Sequence, residues 1–495
     1  MSPRKVIPVE NGALSPIAER VLDVESLTHD HSHDGIVIAV HAELVVRPGA
    51  LSASAAKALE QVAEPVGNLA TMLGPRTKLV RSDRQQERAL EPDYRPDPAG
   101  PLSRVEVWRL KDPESRNSIT ESRRLRELVE DERVQTPGGH ELRLPAVSPH
   151  HVPILCPTAG GCPAAPPQPA PEPDLLFVTP PAGDANARVT ILDSGYIWLD
   201  LDRLDPSHRN LDERVTVVHG QWLDTTTGKW KPDRPDGLYT DSAGQLDGIS
   251  GHGTFIAGLI SHIAPHTRLE VVGLRNQEVE IGAPSRRQQL GLFETEVAIA
   301  HAMLRRCNTD VIQCGFAFPT LDDYPSPVFA AVMEELRSDA APHGGRVAVV
   351  APAGNEQSRR KYWPAAHPEV IGVAATNRRG NGRAWFSNWG DWCDCCARGE
   401  YVLSTFIDWD GPVDGESPTE IEHFRGWARW DGTSFAAPKV SAAIARLFAA
   451  SDRSTPPADL ANQLLAGGLG MSVGTVADAT LSGPPGVPLP YLQIA

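Results

Sequence analysis

No apolar run in this sequence reaches the 18 or so residues that a bilayer-spanning helix needs, so no membrane segment is expected. The N-terminus carries Arg4 and Lys5 but no apolar stretch behind them, so no secretory signal is read and a cytoplasmic location is expected. Cysteine is scarce. Seven irregularly spaced residues in 495 do not make a disulfide framework, and reduced thiols fit them better. Basic residues are outnumbered, 47 Lys and Arg against 63 Asp and Glu, a net charge of -16. Nucleic-acid binding is thereby disfavoured, because phosphate contacts need clustered cations. Internal repeats are also missing.

What is present is an ordinary globular composition, 41% apolar and 22% charged, on a chain long enough for more than one domain. Residues 1–34 read as an irregular polar segment. Residues 35–150 read as a small α+β domain: a Val/Ile-rich strand at Gly35–Arg47, a helix at Ser52–Val62 with Ser52 as N-cap, and short strands at Lys78–Arg81 and Arg104–Lys111. An amphipathic helix at Ile119–Arg133, with Leu125, Leu128 and Val129 on one face, and a last strand at Glu141–Leu144 complete a split-βαβ order. Residues 151–187 are crowded with proline and read as an extended linker.

Residues 188–450 alternate short apolar strands (Arg188–Leu192, Leu269–Leu274, Asp310–Cys314, Arg346–Ala351, Val370–Ala375) with helices (His252–Ile263, Phe293–Arg306, Val328–Arg337, Ser434–Ala450). That alternation predicts an α/β fold, a mostly parallel sheet with helices on both faces. Residues 451–495 hold a short helix (Ala458–Leu465) and a Gly/Pro-rich tail.

Three segments carry residues suited to nucleophilic chemistry. VTILDSGY, Val189–Tyr196, runs a buried strand into Asp193. GHGTFIAGLI, Gly251–Ile260, sets His252 between two glycines at a helix start. DGTSFAAPKV, Asp431–Val440, puts Ser434 at another helix start among small residues. A serine hydroxyl needs a base to take its proton during attack, histidine serves near neutral pH, and a carboxylate can hold the imidazole tautomer. Taken one at a time, such residues are more often turn, cap or structural groups.

Together, in the order Asp, His, Ser, the three segments resemble the motifs of the subtilisin-like (subtilase) serine peptidases. A fourth, VVAPAGNE at Val349–Glu356, resembles that family's oxyanion asparagine motif. A fifth, Tyr362–Thr376, resembles the stretch that follows it. The resemblance spans roughly residues 187–450. It implies an Asp193/His252/Ser434 triad, an oxyanion hole of the Asn355 amide and the Ser434 N–H, and a peptide or protein substrate. It implies substrate-binding walls at Gly315, Phe316 and Ala317 and at Ala351, Pro352, Ala353 and Gly354. The first wall departs from the family pattern, which carries Ser and then Gly. The motifs do not reach residues 35–150, but the split-βαβ order there and the linker after it resemble the fold type of subtilase propeptides, so this part is expected to act as a propeptide, an intramolecular chaperone and inhibitor cut off between about Leu144 and Ala187. A permanent recognition domain is the rival expectation, and a peptide-capturing relative without turnover is the rival function.

No cofactor is expected. Cys393, Cys395 and Cys396 read as buried apolar thiols, Cys156 and Cys162 as a free pair, and His29, His31 and His33 as a polar stretch. Asp200, Asp202 and Asp205 are available for a structural calcium, but their spacing is not diagnostic.

Overall fold

A computed structural model describes residues 5–7, 27–30, 37–72, 78–82, 87–90, 97–153, 165–171, 187–198, 208, 211–224, 229–232, 245–246, 248–274, 277–281, 288–292, 295–304, 309–338, 345–413, 419–467, 473–475 and 490–492. Seven parallel strands form the centre of its largest sheet, in the order Cys395–Arg398, Ile371–Thr376, Ala348–Pro352, Val311–Cys314, Ala187–Asp193, Thr267–Gly273 and Val215–Asp224. Side chains alternate across a strand, and here adjacent residues part into two cores. Ile191, Val217, Val271, Val311 and Val350 face the helices His252–Ile263 and Thr433–Ala450. Their neighbours Leu192, Val218, Val272, Ile312 and Val349 face the helices Glu296–Leu304 and Pro327–Leu336. A sheet covered on both faces requires such near-continuous apolar strands.

The N-terminal part forms an antiparallel sheet in the order Val147–His151, Val37–Val46, Glu106–Leu110, Ala63–Asn68, with Leu27–Asp30 paired to the start of Val37–Val46. Helices Ala53–Val62 and Ser118–Arg126 pack on it. Ser52 caps the first, its side chain accepting from Ala55 N at 3.2 Å. Along Val37–Val46 the residues facing these helices are Val37 and Ala39, then Ala42, Leu44 and Val46. The parity slips where the register against Val147–His151 shifts, between Pro149 and His151. An irregularity of this kind swaps faces along one strand. It sends Ile38, Val40 and Val45 into the core shared with Glu296–Leu304 and Pro327–Leu336.

Several elements differ from the sequence reading. Lys78–Ser82 pairs with Val215–Asp224 at the edge of the large sheet, not within the N-terminal sheet. The second N-terminal strand is instead Ala63–Asn68, whose Pro65 and Gly67 disguise it; it lies at the sheet edge, where proline is tolerated. Glu141–Leu144 pairs with Glu132–Gln135 as a separate hairpin. The last strand is Val147–His151, fully buried despite a serine and two histidines. The second helix ends at Arg126, short of Arg133. Within 151–187, Gln168–Pro169 pairs with Ala428 and Arg429, and the Trp430 indole donates to Ala165 O at 2.7 Å. A hairpin the sequence reading did not pick out, Val402–Gly411 with Glu422–Trp430, covers one side of the His252 helix.

Candidate active site

The site lies where open α/β sheets bind ligands, beyond the carboxyl ends of the central strands. Asp193 is the last residue of its strand, Gly315 follows the strand ending at Cys314, and Ala353–Asn355 follow the strand ending at Pro352. Two helix starts face them, with His252 the first residue of one and Ser434 the second of the other. Asp193, His252, Ser434 and Asn355 are all buried.

His252 joins two of these groups. Its Nδ1 lies 2.9 and 3.0 Å from the two Asp193 carboxylate oxygens, and its Nε2 lies 3.1 Å from Ser434 Oγ. A carboxylate only accepts, so Nδ1 carries the proton and Nε2 is left as the acceptor for the serine hydroxyl. The Asp193 carboxylate also accepts from Ser194 N at 2.7 Å, while Ser194 Oγ accepts from Gly253 N at 3.1 Å. The imidazole is boxed in by rings, Phe435 at 5.1 Å and Trp430 edge-on at 5.7 Å. Pro438, inside the serine helix, has no N–H for the carbonyl of Ser434 four residues before it.

Asn355 is oriented by Thr433. Its Oδ1 accepts from Thr433 N at 2.8 Å and Thr433 Oγ1 at 2.9 Å, and Thr433 Oγ1 accepts in turn from Gly354 N at 3.1 Å. Both bonds to the oxygen end fix which way the Asn355 amide is turned. The turn around Asn355 is pinned by Asn388, whose Oδ1 accepts from Glu356 N and Ser358 N at 2.9 and 3.0 Å and whose Nδ2 donates to Ala353 O at 3.0 Å. Burial pushes the neighbouring Glu356 carboxyl up to about 8. Deeper in, Ser441 Oγ donates to Gln313 Oε1 at 2.6 Å and ties the serine helix to the central sheet. Thr433 stood within the serine motif and was legible there in principle. Asn388 has no local sequence signal, because its role depends on a distant turn.

The residues expected to bind substrate divide. Gly315 lies against the acid: a Cβ placed on it would stand 1.6 Å from Asp193 Oδ2. Phe316 points into the core beside Phe329, 6.2 Å between ring centres. Ala317, Ala351, Pro352, Ala353 and Gly354 are buried beside the site. Cys393, Cys395 and Cys396 are buried, and burial raises each thiol. Among the described residues no group of three His, Cys, Asp or Glu side chains is arranged to hold a metal. The side chains of His29, His31 and His33, and residues Cys156, Cys162, Asp200, Asp202 and Asp205, lie outside the described residues.

A parallel α/β sheet bearing a hydrogen-bonded carboxylate, imidazole and serine at its carboxyl edge has the architecture of a serine hydrolase. Residues 184–466, more than half of the chain, match the model of the subtilase family. The chain belongs to the subtilase family of S8 peptidases. It is 33% identical over 122 residues to an extracellular basic protease of Dichelobacter nodosus, and 32% identical over 120 residues to a subtilisin-like protease of Coccidioides posadasii (strain C735). Each match covers 24% of this chain, and they cover only 18% and 26% of those relatives' own lengths. Among solved structures, the prenylagaramide maturation protease PagA is 20% identical with a TM-score of 0.41, covering 63% of this chain and 92% of that one. A lanthipeptide protease is 20% identical with a TM-score of 0.42, covering 63% and 86%.

Proposed function

We propose that the protein is a serine endopeptidase in which Ser434 attacks the peptide carbonyl, His252 takes and returns the proton, Asp193 holds the imidazole, and Asn355 with the Ser434 N–H receives the oxyanion. The observation that carries this reading is the continuous chain of contacts, Asp193 to His252 at 2.9 Å and His252 to Ser434 at 3.1 Å. Attack transfers the serine proton to Nε2, and the resulting imidazolium is stabilised by the carboxylate on Nδ1. The same proton then goes to the leaving amine, and water repeats the cycle on the acyl-enzyme.

The proposal extends to restricted, processing-type specificity and to the N-terminal part as an intramolecular inhibitor. Support for the second comes from its mode of attachment. His151 N donates to the Glu296 carboxylate at 3.0 Å, Leu321 N donates to His151 Nε2 at 3.1 Å, and Arg123 and Arg126 both pair with Asp322. A cytoplasmic setting is part of the same reading, supported by the free buried thiols of Cys314, Cys393 and Cys395, and fractionation of producing cells tests it.

Intact mass of the wild type and of Ser434→Ala, each with and without a fluorophosphonate, tests the proposal. One probe adduct on the wild type and none on the variant is expected. Removal of an N-terminal piece is expected only in the wild type. An unlabelled wild type would leave capture of peptides without turnover as the better reading.

A further inference from the structure

On the serine-peptidase reading, the residue before the scissile bond would set its carbonyl at Ser434 and Asn355 and its side chain between the segment leading into Asn355 and the neighbouring segment after Cys314. Between those two segments sits a side chain of this protein, Tyr362. It is fully buried. On one side its ring lies against Gly354: a Cβ there would stand 2.8 Å from Tyr362 Cδ1 and 3.2 Å from Cε1. Gly354 also has φ +97, a backbone conformation that favours glycine. On the other side Tyr362 packs against Ala317, with Trp392 closing the cluster. Trp392 also packs on Ala353, Cys393 and Cys396, behind the first wall.

The ring is held there by the backbone. Phe318 N donates to Trp363 O at 2.9 Å and Trp363 N donates to Phe318 O at 2.8 Å, which fastens the tyrosine segment to the Ala317 segment. Asn388 fastens the opposite wall through Ala353 O. Interiors are close-packed, so a ring touching both walls leaves no room for a second large side chain without displacing one of them.

We infer that Tyr362 plugs the pocket for the residue preceding the cut, and that this peptidase accepts only small side chains there, glycine or alanine. The inference rests on the serine-peptidase reading and names the substrate class of the same site. Tyr362 is a specificity residue and takes no part in bond breaking. Hydrophobic pockets discriminate weakly over one methylene but strongly against a ring that cannot enter.

The test uses the full-length chain and peptidyl diphenyl phosphonates that differ only in the residue mimicking the one before the cut: Gly, Ala, Leu or Phe. Rates of Ser434 modification are read by intact mass, with a small fluorophosphonate as the reference. The wild type should react with the Gly and Ala probes at least about a hundredfold faster than with Leu or Phe, a discrimination within reach of a closed pocket. Tyr362→Gly and Tyr362→Ala should gain tenfold or more toward Leu and Phe, each rate taken relative to the same variant's fluorophosphonate rate. A wild type that takes Phe as well as Ala, or does not distinguish the probes, overturns the inference. So does a folded, fluorophosphonate-reactive Tyr362 variant with an unchanged preference. If both variants fail to fold, the wild-type profile alone decides. A wild type inert even to the fluorophosphonate defeats the peptidase reading itself, a result distinct from a reactive enzyme of the wrong preference.

Discussion

Thr433 shows how much of the candidate site depends on one hydroxyl beside Ser434. It spends its N–H and its Oγ1 on the same Asn355 oxygen, so the amide cannot flip without losing both bonds. Asn355→Ala should lower kcat by about 100- to 1000-fold with little change in KM, the loss general for one oxyanion donor. Thr433→Val keeps the N–H bond and removes the hydroxyl, so a smaller loss of about tenfold in kcat is expected from one hydrogen bond. Gly315 makes the same point by what it lacks. Gly315→Ala puts a methyl where the Asp193 carboxylate now lies. Displacing that carboxylate by about 1 Å should cost on the order of 100-fold in kcat. Fluorophosphonate labelling should slow in parallel, and the thermal midpoint distinguishes this from general unfolding. Asp193, His252, Ser434 and Asn355 were readable because each stands in a short motif. The demand for glycine at 315 was not, because the atom it avoids is 122 residues away in the chain.

At the scale of elements, the turn after Ala348–Pro352 stores a pH-dependent cost. Glu356 is pushed up to about 8 by burial, from an ordinary value of 4.5. Its folded pKa is raised, so its contribution to stability is fully present below about 4.5 and is lost as pH climbs through about 8. Thermal unfolding followed from pH 5 to 9 should therefore fall on the alkaline side, and Glu356→Gln should flatten that limb. A variant whose profile matches the wild type would show that the carboxyl is solvated. Element type was legible for five of the seven parallel strands, all but Val215–Asp224 and Cys395–Arg398, and for the helices at His252 and Ser434, where apolar runs and small-residue starts agree with the tertiary outcome. It failed at Ala63–Asn68 and Val147–His151. Proline, glycine, serine and histidine conceal strands whose pairing comes from distant partners.

The whole molecule is joined through polar groups as well as through a shared apolar core. Glu296, on a helix of the parallel-sheet part, is fully buried. Burial alone raises its carboxyl, but His151, its hydrogen bond, His150 and Ser326 outweigh that and leave it lowered. A lowered carboxyl contributes stability above its ordinary 4.5, and the contribution is lost as pH falls through the folded value. Attachment of the N-terminal part should therefore weaken in acid. Glu296→Gln should be less stable at neutral pH and show a flatter unfolding profile below about 4.5, measured on the full chain. An acid limb as steep as that of the wild type would place the titration elsewhere.

By itself the sequence determined the parallel α/β class, because buried strands must be apolar on both faces. It also put forward the four candidate residues of the site, because each sits in a short local motif. Tertiary structure alone decided which partners fix those residues. It also placed Lys78–Ser82 at the edge of the large sheet and put a tyrosine between the two walls. Those outcomes depend on the packing of segments far apart in the chain, where a one-residue shift in register or a single ring changes what fits, and no local pattern encodes that distance.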